Sequence, residues 1–223
     1  MSFSFPSTKN PVYNNKKLEE LYNKISMDPE DYASHLQYAE LLLATPNFER
    51  SSRAIKSLEK ILVKNNANVD ALVLHVKSLR WVNRIKESQS MAEYYCNEYS
   101  ETIGFYIQLI MIYIQQNKFD QAKNFLTKAL KKFSDDLELT RAQIYLYSKI
   151  QQYDTALTVC NDTFLIFPND PRIIRSKCVI LWNMGNHLES IASLKEFKNN
   201  FPEEYNSPLW DTDGDYTSCG VLL

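Results

Sequence analysis

Apolar residues recur along this chain at i, i+3, i+4 and i+7, the spacing that lines one face of an α-helix. The pattern predicts helices over 106–115 and 173–184, each followed by a second one, as over 119–130. A longer period is superimposed on it. Tyr113 and Tyr147 are 34 residues apart, as are Ala122 and Ala156, Phe133, Phe167 and Phe201, and Pro168 and Pro202. Laid over the chain, this period marks four contiguous units, 69–102, 103–136, 137–170 and 171–204. A fifth, 32–68, fits if its turn holds three extra residues, around Thr45-Pro46-Asn47 and Ser51-Ser52. Ahead of it Leu18, Leu21, Tyr22 and Ile25 have helical spacing and predict a lone helix within 14–26. The expected organisation is a repeat domain over 14–204 between a disordered tail, 1–13, and an irregular tail, 205–223.

Each unit reads as two helices joined by a residue that leaves the helical region. The aligned positions hold Asn83, Asn117, Gln151 and Gly185; Asn and Gly tolerate a left-handed helix end most cheaply. Asn169-Asp170-Pro171 and Asp28-Pro29 place a capping side chain before a first-turn proline. A further column is small throughout, with Ala54, Ser88, Ala122, Ala156 and Ser190, as needed where two helices cross closely. Ala122 and Ala156 follow an aromatic, Phe119 and Tyr153, by three positions.

With this small column, the aromatic three before it and a proline at the unit's end, the sequence resembles the tetratricopeptide repeat family over about 32–204, most clearly from Ile103 onward. It departs from the family pattern at the early Trp position, which holds His35, Leu72, Tyr106, Thr140 and Ile174, and at the small position of the first helix, which holds Val76, Ile110 and Ile144. The resemblance implies an all-α fold: a right-handed superhelix, or α-solenoid, of about five such helix pairs with an N-terminal extra helix. Its concave face would be lined by the first helix of each unit, the surface on which such arrays bind partners.

On that face the first helices would present Val73, Leu74, Lys77, Arg80 and Trp81, then Ile107, Gln108, Met111, Ile114 and Gln115. Arg141, Tyr145 and Lys149 follow, then Arg172, Arg175, Val179 and Trp182. The strip is apolar in its middle and basic toward its C-terminal end, which suits a partner peptide or helix with acidic residues. Ile107, Met111, Ile114 and Val179 read equally well as core side chains. The Lys/Asn/Arg clamp of chaperone-binding relatives is missing: the matching columns hold Val73 and Lys77, Gln108, and Glu138 and Ala142, or in the next frame Ile107 and Met111, Ala142, and Arg172 and Ser176.

Composition narrows the function classes. The 223 residues are 44% apolar and 23% charged with a formal charge of -2, so the overall field recruits neither nucleic acid nor an anionic membrane. The first fifteen residues lack the apolar stretch of a secretory signal, and the longest apolar run, 105–114, is too short to span a bilayer. Cys96, Cys160, Cys178 and Cys219 are too widely spaced for a zinc site and suit a reducing compartment. The sequence therefore reads as soluble and intracellular, in the cytoplasm, with nothing against the nucleus.

Catalytic and cofactor signals are thin. His35, His75 and His187 fall in different units, with His35 and His187 in packing columns. Four glycines, Gly104, Gly185, Gly214 and Gly220, form no phosphate loop. Lys128, Lys131 and Lys132 read as a solvated helix face. Asp211, Asp213 and Asp215 surround Gly214 without calcium-loop spacing, and Cys219 stands one place too far from the end for prenylation. No enzyme, metal or cofactor is expected. The functional expectation is a non-catalytic adaptor or scaffold for another protein. The alternatives are an obligate subunit of a larger complex and, behind it, a helical-repeat subunit supporting an enzyme, for which only Trp210 comes near the motif. Ile191 and Leu194 on the last helix need a cover, from the tail through Leu209 and Trp210, from a partner, or from sequence not present here.

Overall fold

The computed structural model describes residues 11–44, 46–134 and 136–202; residues 1–10 and 203–223, with the tail positions Leu209, Trp210, Asp211, Asp213, Asp215 and Cys219, lie outside them. The described residues form eleven α-helices and no strand: α1 Pro11–Met27, α2 Tyr32–Ala44, α3 Phe48–Lys64, α4 Val69–Trp81, α5 Ile85–Glu98, α6 Ile103–Gln115, α7 Phe119–Lys132, α8 Leu137–Lys149, α9 Tyr153–Ile166, α10 Pro171–Asn183 and α11 His187–Asn200. α4, α6, α8 and α10 begin 34 residues apart.

The expected helix over 106–115 extends back to Ile103, and that over 173–184 runs from Pro171 to Asn183. Both first turns hold core residues, Phe105 and Ile173 being fully buried. The start of α6 has no side-chain cap bond, whereas four other helix starts do. Asn47, Asn68, Asp136 and Asp170 accept from the backbone N–H of Arg50, Ala71, Leu139 and Arg172, respectively, and each such cap is worth about 1 kcal/mol.

The four predicted turn residues all take positive φ: 63° at Asn83, 58° at Asn117, 61° at Gln151 and 83° at Gly185. At each, the next residue's N–H reaches back across the turn, from Arg84 to Leu79 O, Lys118 to Tyr113 O, Gln152 to Tyr147 O and Asn186 to Leu181 O, at 2.8–2.9 Å. These are Schellman closures, which satisfy carbonyls the helix end would leave unpaired.

The small column is sealed. Ala54, Ser88, Ala122, Ala156 and Ser190 expose no surface. The two serines remain polar by donating into the partner helix of their pair, Ser88 Oγ to Val76 O at 2.8 Å and Ser190 Oγ to Cys178 O at 2.7 Å. A larger side chain would separate the helices at the crossing.

The helices gather into two compact units, α1–α5 and α6–α11. In the first, Leu18, Leu21 and Ile25 of α1 join a core with Tyr38, Leu42 and Leu43 of α2 and Leu58 and Ile61 of α3, so α1 covers the first pair. His35 is buried there, its ring nitrogens 3.2 Å from Ser57 Oγ and 3.3 Å from Pro29 O. In the second unit α6 is the most apolar helix. Its Phe105, Leu109, Ile110 and Ile112 are fully buried, each stabilising the fold by about 1.5–3 kcal/mol relative to exposure. Ile144, Ala156, Cys160, Ile173 and Ile180 form a core among α8, α9 and α10.

His187 corrects the sequence: it is exposed at the start of α11, its ring 4.3 Å from that of Trp182, and not in a packing column. Leu194 is buried, whereas Ile191 is half-buried.

Candidate functional site

First helices stand side by side within each unit, α2 against α4 in one and α6, α8 and α10 in the other. Helix pairs with a common turn present the same side-chain register on every first helix, so residues 34 apart line up across α6, α8 and α10.

On α4 the expected residues divide. Lys77 is half-buried and its Nζ donates to Leu43 O at 3.0 Å, which ties it to the C-terminal end of α2. The Arg80 guanidinium lies 5.3 Å from the Trp81 ring, and Trp81 is half-buried with its Nε1 buried and unbonded. Leu74 is buried. Glu40 on α2 and Asp70 on α4, which the sequence pattern did not single out, are both half-buried carboxyls. Burial pushes each above the usual range, with Asp70 adding to the effect on Glu40. The extra residues before α3 shift the register of α2, which hides Glu40 from a 34-residue alignment.

On α6, Ile107 and Met111 are half-buried and Gln115 is exposed. Ile114 and Gln108 are buried, with Gln108 at 7% exposure and its Oε1 unbonded. Ile114 and, on α10, Val179 at 5% thus serve as core.

The basic residues of α8 and α10 form a network. Arg141 holds Glu138 at 2.8 Å, one helical turn away. Arg172 reaches the same Glu138 at 3.1 Å across the gap between the helices and Asp170 at 2.6 Å. Burial alone would raise the Asp170 carboxyl; the hydrogen bond and charge of Arg172, helped by Arg141, hold it below the usual range. The Arg172 guanidinium is held above its ordinary value by Asp170 and Glu138 against its burial. The two arginine side chains stay 24% and 35% exposed, so they stabilise one another's partners without being sealed off. Arg175 is half-buried at the position equivalent to Arg141, and Lys149 Nζ sits 5.4 Å from the Tyr145 ring. The sequence singled out these cations and named Glu138 only as a clamp column and Asp170 only as a cap, not as their ion-pair partners; the signals were the Glu138–Arg141 spacing of three and the Glu138–Arg172 spacing of 34.

Elsewhere the chemistry is quiet. A shallow pocket lined by Cys160, Phe164, Ile173, Ile174, Lys177, Ser193 and Glu196 lies among α9, α10 and α11. Cys160 there donates to Ile173 O at 3.2 Å, and burial pushes its thiol up to about 12, which removes it as a nucleophile. Among the described residues no three His, Cys, Asp or Glu side chains converge as metal ligands, and no helix is long and apolar enough to cross a membrane. Lys132 pairs with Glu101 at 2.7 Å on a solvated face.

Residues 107–177 match the model of a family described as tetratricopeptide repeat. No curated protein matches the chain. Among solved structures, a thermophilic tetratricopeptide protein of Thermus thermophilus is similar with a TM-score of 0.71 at 16% identity, over 84% of this chain and 98% of that one. A tetratricopeptide repeat protein of Parabacteroides merdae gives 0.61 at 14% identity, over 82% and 72%. At such identities the likeness is one of fold.

Proposed function

We propose that this chain, a tetratricopeptide repeat protein, is a non-catalytic adaptor that binds another protein through its first-helix faces. In the second unit the occupant is a peptide or helix that sets apolar side chains against Ile107 and Met111 of α6 and acidic ones against α8 and α10. The observation that carries this reading is the Arg141–Glu138–Arg172–Asp170 network. It lines up equivalent positions of adjacent first helices and keeps both arginines partly exposed, with Arg175 and Lys149 adding positive charge on the same helices. Partly desolvated, pre-positioned guanidinium groups recognise carboxylates with more energy than freely moving surface cations do. On α4, Arg80 and Trp81 present a cation and an aromatic to the same kind of ligand.

Affinity purification from native cells, with bound proteins identified by mass spectrometry, tests the reading. Arg175→Glu with Lys149→Glu should reduce capture of a specific partner about tenfold or more. Lys123→Glu on α7 should not. Equal capture by both variants, at unchanged helical circular dichroism, would contradict the proposal.

A further inference from the structure

His75, on α4, is buried at 9% exposure, and both its ring nitrogens are shielded from solvent without a hydrogen bond. A neutral imidazole carries one N–H donor and one acceptor, so both are left unsatisfied there; a charged ring would bury two donors and a charge. α4 packs against α2, α3 and α5. The charges that act on the ring come from Glu59 of α3 and from Arg84 and Glu87 at the start of α5, where Arg84 already holds Glu87 at 2.7 Å. On α2 the groups that titrate at or below neutral pH are engaged elsewhere: Glu40 acts with Asp70, and His35 lies against Ser57 and Pro29. No carboxylate is bonded to the His75 ring in the packed arrangement, although Glu59 and Glu87 on the flanking helices are exposed.

Of the flanking helices α5 is the one that can yield. Its buried side chains are Ser88, Ala92 and Cys96, all small, whereas those of α3 include Ile55, Leu58 and Ile61. Apolar burial therefore holds α5 against α4 less firmly than it holds α3. α5 also begins without a side-chain cap bond, at Arg84. Its crossing with α4 is next to the histidine in sequence: Ser88 Oγ donates to the carbonyl of Val76.

We propose that His75 is a proton-operated latch: when the ring takes up a proton, α5 lifts from α4, and the imidazolium gains water and the carboxylates of Glu59 and Glu87. In the packed state burial holds the imidazole below its ordinary 6.5, and in the lifted state it returns to that value. Protons therefore bind the lifted state more tightly and favour it as pH falls through the ordinary value. The release involves one helix and costs less than unfolding the whole unit. It does not depend on the first-helix face being a partner site.

Cys96 reports the release, because it lies on the face of α5 that lifting uncovers; in the packed state burial pushes its thiol up to about 12. The full-length protein is treated with dithiodipyridine, which reacts with thiols in mild acid. Modification of Cys96 is followed by peptide mass spectrometry, relative to an unstructured peptide of the same sequence at the same pH. Protection of Cys96 should fall about tenfold between about pH 7.5 and about pH 5.5, as an imidazole of ordinary value passes from mostly neutral to mostly charged. In His75→Gln, which stays polar but cannot take the proton, and in His75→Leu, which keeps the site apolar, protection should be the same at both pH values. By hydrogen exchange, amides of α3 should stay better protected than those of α5 at both pH values, by about tenfold or more. Unchanged Cys96 protection on acidification, or an equal fall in both variants, overturns the latch. Amides of α3 and α5 with one common protection would mean that the unit opens as a whole, and would overturn the local release.

Discussion

At Gln151 the backbone sits at φ 61° with a β-carbon in the way, whereas Gly185 at the equivalent turn has none. A left-handed conformation costs a non-glycine residue about 1–2 kcal/mol. Gln151→Gly should therefore raise the thermal midpoint, by about 1 kcal/mol in stability, and Gly185→Ala should lower it by a similar amount. Nothing lies within 4 Å of the added methyl in the second case, so the loss would come from the backbone alone; calorimetry on both variants checks the pair. His75 makes a pH prediction. It is buried, with neither ring nitrogen hydrogen-bonded, and burial holds its imidazole below the ordinary 6.5. The unfolded chain then takes up a proton before the folded one does. Stability is complete above the unfolded value and falls as pH drops through it toward the folded one; His35, depressed chiefly by burial, adds with the same sign. His75→Leu should flatten denaturant midpoints measured between about pH 7.5 and about pH 5.5, a window that brackets the ordinary imidazole value. The turn and crossing positions were legible in the sequence because each depends on one residue's own size or backbone freedom. The Glu138–Arg172 pair was not, because an ion pair depends on where two side chains meet.

Between elements, the crossing column sets how closely the helices of a pair approach. Ala122 exposes no surface between α6 and α7, so Ala122→Leu should cost about 1–3 kcal/mol or more by overpacking, read as a drop in the denaturant midpoint. Asp170 links a helix cap to the inter-helix network. Its depressed carboxyl contributes stability that is present above the ordinary value of 3.8 and is lost as pH falls through the lower folded value. Asp170→Asn should remove that acid-side transition and loosen Arg172, seen as faster amide exchange at the start of α10. The helices themselves were legible from apolar spacing and caps. His187 was misplaced because the spacing of a short helix start does not distinguish a packing position from an exposed one beside Trp182.

For the whole molecule, the repeat period carried the all-α architecture, while near-neutral composition said little about partners. Charge is unevenly distributed, with raised carboxyls at Glu40 and Asp70 in the first unit and the arginine network in the second, a division that a net charge of -2 conceals. If the chain is an adaptor, it should be a soluble monomer by size-exclusion chromatography with light scattering; insolubility without a partner would favour an obligate subunit. Site-specific photocrosslinking in native cells locates the contact itself. With a benzoyl-phenylalanine at Met111, at Tyr145 or, as control, at the exposed Gln121 of α7, a partner should be captured from the first two positions and not from the third. Capture from Gln121 alone, or equally from all three, would contradict binding on the first-helix face.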